Sequence, residues 1–374
     1  MMPLAYQYID TNDALVVACE ALAQAPAIAL DTEFMRVDTF YPIPGLVQLA
    51  AGGETYLIDP ITIDEWQPLQ TLLTDPDTLK VMHACSEDLE LFQHWLGLRP
   101  TPMADTQIAA AFVDMGLSPG YQSLVHDLLG EEVDKGETRS DWLQRPLRDS
   151  QCHYAAADVV HLMQCYDLLV KRMQDKGVWE WFQEDMVRLA LPKTPIEPEL
   201  AYTQMKNAWR LEGKAVGRLK GLAAWREEVA RSEDRPKNFV VKDTSLIDMA
   251  RSNPTDLNAL GQCMDMRPSS VRRYGKQWLT ILGNCSEVVP QVAQPLSKLE
   301  NKHYKQLHQI VNEQAEAAAI QVQLMGRKKE LLEVFEGIRK KRPFTLPANW
   351  NGWRETYLSE VIAAEYIQIQ ESRS

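Results

Sequence analysis

Five side chains in this sequence have the types and spacing to do chemistry together: Asp31, Glu33, Asp88, Tyr154 and Asp158. Asp31 and Glu33 stand two apart in AIALDTEF, whose opening residues read as a buried β-strand. Side chains two apart on a strand point the same way, which sets the two acids roughly 7 Å apart on one face. In SEDLELFQHWL a helical wheel puts Asp88 within about 60° of Leu91, Phe92 and Trp95, whereas Glu87 and Glu90 share the outer face with Gln93 and His94. The same wheel sets Asp158 on one stripe with Tyr154, Leu162, Cys165 and Leu169.

Taken singly, each acid has an ordinary reading, since strand ends carry solvated carboxylates and acids in a first helical turn complement the dipole. Taken together, they are inward-facing carboxylates in segments poor in Lys and Arg. An isolated buried carboxylate costs several kcal/mol and must be protonated, paired or bound to a cation. Oxygen ligands without counter-charges suit a hard divalent ion, Mg²⁺ or Mn²⁺. Two such ions roughly 3.5–4 Å apart are the arrangement used for in-line displacement at phosphorus.

Strands and helices must hold such a cluster. AIALDTEF, GLVQLAA and ETYLIDP, with a Gly52-Gly53 turn between the last two, read as a three-strand meander. A helical DEWQPLQTLL, a short strand LKVMHA and helices within SEDLELFQHWLGL, DTQIAAAFVDM, GYQSLVHDLLG and DSQCHYAAADVVHLMQCYDLLVKRM follow. Strands with interspersed helices predict an α/β domain with a mixed sheet over 1–195. Pro192, Pro195 and Pro198 then break the pattern, and the rest reads as helices with Pro and Gly at the joints. The expected division is an α/β domain, 1–195, and two small all-α domains, 206–286 and 296–374.

The chain carries a net charge of −13, with a strong asymmetry. Residues 1–195 hold 12 Lys and Arg against 30 Asp and Glu, whereas 206–285 hold 15 against 9. A basic module joined to an acidic one is a recognised hint of nucleic-acid binding by the basic part. Six scattered cysteines, with no CxxC pair, argue against a disulfide framework and a zinc site. No stretch approaches the roughly 18 apolar residues of a spanning helix, and MMPLAYQYIDTNDAL lacks a targeting pattern, so a cytoplasmic protein is expected. No GxxxxGK[ST] loop occurs, which disfavours a helicase and a nucleotide cofactor.

ALDTEF, HACSEDLELF and HYAAADVVHL resemble the three motifs of the DEDD 3′→5′ exonucleases, and Tyr-x-x-x-Asp matches the tyrosine subclass. LVQLAAGGETYLIDP and DKGETRSDWLQRPL further resemble the flanks of these motifs in the ribonuclease D family. LKGLAAWREEVARSEDRPKNFVVKDTSLIDMARSNPTDLNAL is similar to the HRDC domain, and the C-terminal part is compatible with a second, divergent copy.

The resemblance implies an RNase H-like sheet with Asp31, Glu33, Asp88 and Asp158 as metal ligands. One ion would be bridged by Asp31 and lie with Glu33 and Asp158 near the attacking water, the other with Asp31 and Asp88 near the leaving 3′ oxygen. RNA with a free 3′ end, tRNA precursors above all, would lose nucleoside 5′-monophosphates. Tyr154 suits orienting the water better than abstracting its proton, because a phenol ionising near ~10 is almost wholly protonated at neutral pH. Lys214, Arg218, Lys220, Lys237, Lys242, Arg267, Arg272, Arg273 and Lys276 are candidate phosphate contacts, and Phe34 and Tyr41 candidate base-stacking rings. A DNA-directed exonuclease with the same acids and a non-catalytic helicase-accessory binder are the competing readings.

Overall fold

A computed structural model of the chain describes residues 4–133, 136–288, 292 and 294–372. They form two compact units, one built from residues up to Met35, Pro44–Pro192 and Leu296 onward, the other from Arg36–Ile43 and Lys193–Pro295.

The first unit contains a six-stranded sheet of β1 (Gln7–Ile9), β2 (Ala27–Met35), β3 (Ile43–Ala51), β4 (Glu54–Ile58), β5 (Leu79–Met82) and β6 (Met103–Asp105), ordered β1-β4-β3-β2-β5-β6. β4 runs antiparallel to β3 and parallel to β1, while β2, β5 and β6 are mutually parallel, so the sheet is mixed as expected. Gly52 and Gly53, at φ 61° and 89°, make the two-residue hairpin between Ala51 and Glu54, a turn that needs positive φ at both positions. β1, β6 and a helix α1 (Asn12–Leu22) are additions to the sequence reading. The two outer strands span only three residues each, too few for an alternating pattern to show.

Helices α2 (Gln67–Thr74), α3 (Ser86–Trp95), α4 (Thr106–Phe112), α5 (Tyr121–Leu129), α6 (Asp149–Val160), α7 (Leu162–Lys176) and α8 (Trp179–Ala190) complete this part. Ile28, Leu30, Val47 and Leu49 point into a core with α1, α2 and α3. Ala29, Ala50 and Val81 point the other way, into a core with α4, α5, α7 and α8. The stripe drawn through Asp158 runs over two helices, because the helix is interrupted at His161 (φ −95°, ψ −7°), after the β-branched pair Val159-Val160. Leu162, Cys165 and Leu169 are fully buried, but on α7.

The C-terminal residues of this unit form α14 (Lys298–Ala317), α15 (Val322–Met325), α16 (Lys328–Arg339) and α17 (Glu355–Ser372), numbered after the helices of the second unit given below. Their apolar residues, Leu307, Phe335 and Ile362 among them, belong to the same continuous core as Phe112 and Phe182 of the α/β part. Arg354, 8% exposed, donates to both oxygens of Asp185 on α8 at 2.6 Å each, and Trp353 stacks on Trp181 with centroids 4.8 Å apart. Residues 296–372, expected as a separate domain, therefore pack as part of the unit carrying the sheet.

The second unit is helical: α9 (Lys214–Ser232), α10 (Lys237–Val240), α11 (Asp243–Ser252), α12 (Leu257–Gly261) and α13 (Pro268–Gly283). Trp278, fully buried, sits with Leu219, Leu222 and Leu246 at its centre. Asp234 accepts from the backbone N–H of Phe40 (2.9 Å) and Tyr41 (3.0 Å), which ties the 36–43 segment into this unit. No helix among the described residues is long and apolar enough to cross a membrane. All six cysteines are free thiols.

Candidate active site

Strand β2 continues the Ala29 face through Asp31 and Glu33. Its pairing with β5 extends only to Ala29↔Val81. Beyond that point the β5 chain turns at Ala84, φ 54°, and enters α3, so a helix start replaces a strand neighbour beside the acids. Asp158 comes from the last turn of α6, which packs over β2 and β4. Ligand oxygens of Asp31, Glu33 and Asp158 lie within 4.8 Å of one another.

Asp88 joins from another direction. It is 6% exposed, on the inward face of α3 with Leu91 and Phe92, while Glu87 and Glu90 are exposed. Its charge is the strongest neighbouring charge acting on Asp31, yet its carboxylate accepts a hydrogen bond from Thr32 Oγ1 and stands outside the group of three. α3 begins at Ser86 without a side-chain cap. Asp105 supplies the missing acceptor, taking the backbone N–H of Ala84 (3.0 Å) and Cys85 (3.1 Å), and also that of Gln107 (2.8 Å) at the start of α4. One buried carboxylate thus fixes the turn that aims Asp88.

Tyr154, one helical turn before Asp158, hydrogen-bonds that carboxylate and is itself bonded by Thr138. Trp142, 1% exposed, packs against its ring with centroids 6.2 Å apart. The loop carrying Trp142 is pressed onto β3 at Gly45, where any Cβ would lie 2.7 Å from the Trp142 Cβ and 3.1 Å from the Glu33 carbonyl oxygen. Arg145 anchors the loop. Its Nε and Nη2 each reach an Asp59 oxygen at 2.6 Å, Nη2 also donates to the Gly45 carbonyl, and Tyr8 donates to Asp59 at 2.7 Å.

The acids are held in mutual conflict. Burial first, and neighbouring negative charge second, pushes Glu33 up to about 9 and Asp31 well above the usual carboxylate range. Burial raises Asp158 to about 7 against the opposing Tyr154 hydrogen bond, and Asp88 to about 6 against that of Thr32. The Tyr154 phenol is raised as well, by burial and then by the Asp158 charge, so it stays protonated and donates. No lysine, arginine or histidine is among the main influences on Asp31, Glu33 or Asp158. A compact set of carboxylate oxygens without a counter-charge is the donor set of a hard divalent cation.

The nine basic candidates divide. Arg218 donates to the Ala250 carbonyl at 2.7 Å, Lys237 pairs with Glu227 at 2.6 Å, and Arg273 pairs with Glu233 at 2.9 Å. Lys214, Lys242, Arg267, Arg272 and Lys276 are exposed, and Lys220 is half-buried. Phe34 is half-buried, and Tyr41 packs edge-on against Phe40, 4.8 Å between centroids, in the second unit.

Comparison with known proteins decides the family. Ribonuclease D of Pseudomonas paraeruginosa is 39% identical over 362 residues, which cover 95% of this chain and 96% of the relative. The chain belongs to the ribonuclease D family of 3′→5′ exoribonucleases. Ribonuclease D of Escherichia coli is 37% identical over 96% of this chain and 97% of its own length. The crystal structure of E. coli RNase D, described as an exoribonuclease involved in structured RNA processing, superposes with a TM-score of 0.88 at 35% identity, covering 97% of this chain and 99% of that one. Residues 6–174 match a 3′-5′ exonuclease family model, and 216–282 match the HRDC domain. Ribonuclease D enzymes act on RNA, and the exonuclease family is divalent-metal dependent.

Within this ribonuclease D fold, Thr32, Asp105, Trp142 and the Asp59–Arg145 pair are the site residues that sequence reasoning missed. MADTQ, an acid directly before a helical run, carries the cap signature that points to Asp105. Nothing local in the sequence marks Asp59 and Arg145 as partners, because 86 residues separate them.

Proposed function

We propose that Asp31, Glu33, Asp88 and Asp158 hold two Mg²⁺ or Mn²⁺ ions for hydrolysis of the terminal phosphodiester of RNA, releasing nucleoside 5′-monophosphates from 3′ ends, with tRNA precursors as the substrate. The convergence of three unpaired carboxylates within 4.8 Å beside the Tyr154–Asp158 hydrogen bond carries this reading. When bound, the ions lower the cost of deprotonating the attacking water and neutralise charge on the phosphate and the leaving oxygen. Asp31, Glu33 and Asp158 supply oxygen ligands, and Asp88, steadied by Thr32, adds a fourth carboxylate from α3. Tyr154 has its proton and is aimed at Asp158, which suits it to orient the water by donating a hydrogen bond, with Trp142 fixing the ring. The parts 1–195 and 206–286, with 296–372 packed into the core of the first, and a cytoplasmic location complete the reading.

The exposed set Lys214, Lys242, Arg267, Arg272 and Lys276 provides the general phosphate attraction that an acidic catalytic part lacks. Truncation after Pro198 is a poor test of that role, because it also strips α14–α17 from the core they share with Phe112 and Phe182. Charge removal at the exposed set on the full chain is the cleaner test.

The experiment for the reading as a whole uses a 5′-labelled pre-tRNA with a 3′ extension and a matched unstructured RNA, with Mg²⁺, with EDTA, and with Asp31→Asn. Stepwise shortening from the 3′ end, dependent on Mg²⁺ and Asp31 and faster on the pre-tRNA extension, is the expected result. Undiminished shortening by Asp31→Asn contradicts the site, and equal rates on the two RNAs contradict the substrate.

A further inference from the structure

Gln48 is an anomaly in the middle of the sheet. It is fully buried on β3, and neither its amide oxygen nor its amide nitrogen has a hydrogen-bond partner among the described residues. Burying an amide without partners costs roughly 1–3 kcal/mol, and a leucine or methionine at this place would avoid that cost. A structural role therefore does not account for the residue.

Its position does. β3 lies directly beside β2. Leu46 and Ala50, two residues to either side of Gln48, face the side covered by α4–α8, as Ala29 does on β2, whereas Val47 and Leu49 face the core with α1–α3. Alternation therefore puts Gln48 on the same face as Asp31 and Glu33, one strand over. Gly45, three residues earlier, lies against the Glu33 carbonyl, while Ala50 shares its core with Ala29 and Val81, which pair across β2 and β5. Between those two levels on β2 stands Asp31. Above this stretch runs α6, with Tyr154 and Asp158. The chain has thus placed an amide, two donors and an acceptor with no other use, beneath a cluster of carboxylates that compete for donors.

We propose that Gln48 is a positioning residue, whose amide N–H donates through an ordered water to the Asp31 carboxylate and holds it in the orientation that binds divalent cations. This rests on the cation-site reading given above. Such outer partners of metal ligands hold the ligand's rotamer, and their loss typically weakens metal affinity about 10–100-fold. In the metal-free protein the amide has nothing to gain from the fold, so its removal should not be felt there.

The test uses Gln48→Met and Gln48→Leu in the full chain, both close in volume and able to pack in the core. Three quantities are measured: the metal-free melting temperature, Mn²⁺ affinity by calorimetry, and KM on a single-stranded RNA. The expected result is a metal-free melting temperature within about 3 °C of the parent or above it, and Mn²⁺ affinity lower by about 10–100-fold. KM for RNA at saturating Mn²⁺ should stay within about three-fold, since no RNA contact is removed. Mn²⁺ affinity equal to the parent's in both variants overturns the proposal and leaves the acid site standing. A melting temperature more than about 5 °C lower in both metal-free variants overturns it too, by showing that the amide serves the fold. Failure of the parent itself to bind Mn²⁺ fells the acid site and this inference together.

Discussion

Asp31 lies on β2 and Asp59 directly follows β4 of the same sheet, and the protein treats them in opposite ways. Asp59, 1% exposed, faces a two-pronged Arg145 and a Tyr8 hydroxyl, and these hold its carboxyl below the usual range. Asp31, with Glu33 and Asp158, faces other acids and is pushed far above it. The second unit follows the Asp59 pattern: Glu227 is met by Lys237 at 2.6 Å and Arg231 at 2.8 Å. Buried Lys80 likewise donates to the Asp75, Thr78 and Thr101 carbonyls. Where this chain buries a charge for the sake of its fold, it supplies the partner. The acid cluster departs from that practice, and the departure marks the place where a ligand completes the structure.

Breaking each region should therefore have opposite consequences. Asp31→Asn should cut exonuclease activity by on the order of 10³-fold or more, while the metal-free melting temperature holds or rises, because asparagine mimics the protonated acid. Arg145→Ala should instead lower stability by on the order of 3 kcal/mol, since it strands the buried Asp59, with a smaller loss of activity than Asp31→Asn through the Trp142 loop that it anchors. A nuclease assay run beside a thermal melt reads both. A large loss of stability in Asp31→Asn would erase the contrast.

Tyr154→Phe sharpens the comparison on the catalytic side. Its ring contact with Trp142 survives and its bond to Asp158 is lost, so turnover should drop about 10²–10⁴-fold with Mn²⁺ affinity within a few-fold of the parent. Calorimetry and single-turnover kinetics separate the two.

A pH series tests the conflict among the acids. The folded carboxylates hold protons that the unfolded ones release, from their ordinary range near 4 up to about 9 for Glu33. The folded state then binds more protons than the unfolded one, so metal-free stability should fall as pH rises through that window. Asp59 contributes in the other sense, stabilising above its ordinary range and losing that contribution only in acid. Added Mg²⁺ should raise the melting temperature more at pH 8.5 than at pH 5.5, by several degrees. An equal shift at both pH values would mean that the ion does not engage these groups.

Much of this was legible in the sequence, and for a physical reason. Asp31 and Glu33 follow a strand's two-residue repeat, and Asp88 and Tyr154–Asp158 follow a helix's, so local periodicity alone orients them inward. What periodicity cannot show is distance across the chain. Asp105 fixing the α3 turn and Arg145 finding Asp59 depend on which strands become neighbours. The break at His161 does not show in the apolar stripe, which continues across it onto α7. The packing of α14–α17 onto α8 through Arg354 and Trp353 is likewise invisible in a segment that reads as a separate small all-α domain.

The smallest expected effects distinguish paired from exposed cations in the second unit. Lys276→Gln should weaken RNA binding by a few-fold and reduce the salt slope by about 1, without changing stability. Lys237→Gln should do the reverse, lowering the melting temperature by leaving the buried Glu227 with Arg231 alone, and leaving the salt slope nearly unchanged.

The most direct measurement is a Mn²⁺ titration of the full chain at pH 7.5, followed by calorimetry, with the triple variant Asp31→Asn, Glu33→Gln, Asp158→Asn alongside. Saturable binding to the parent with release of protons, absent from a folded triple variant, is the outcome expected of carboxylates whose missing partner is a cation. Equal binding by both proteins, or none by either, would contradict it.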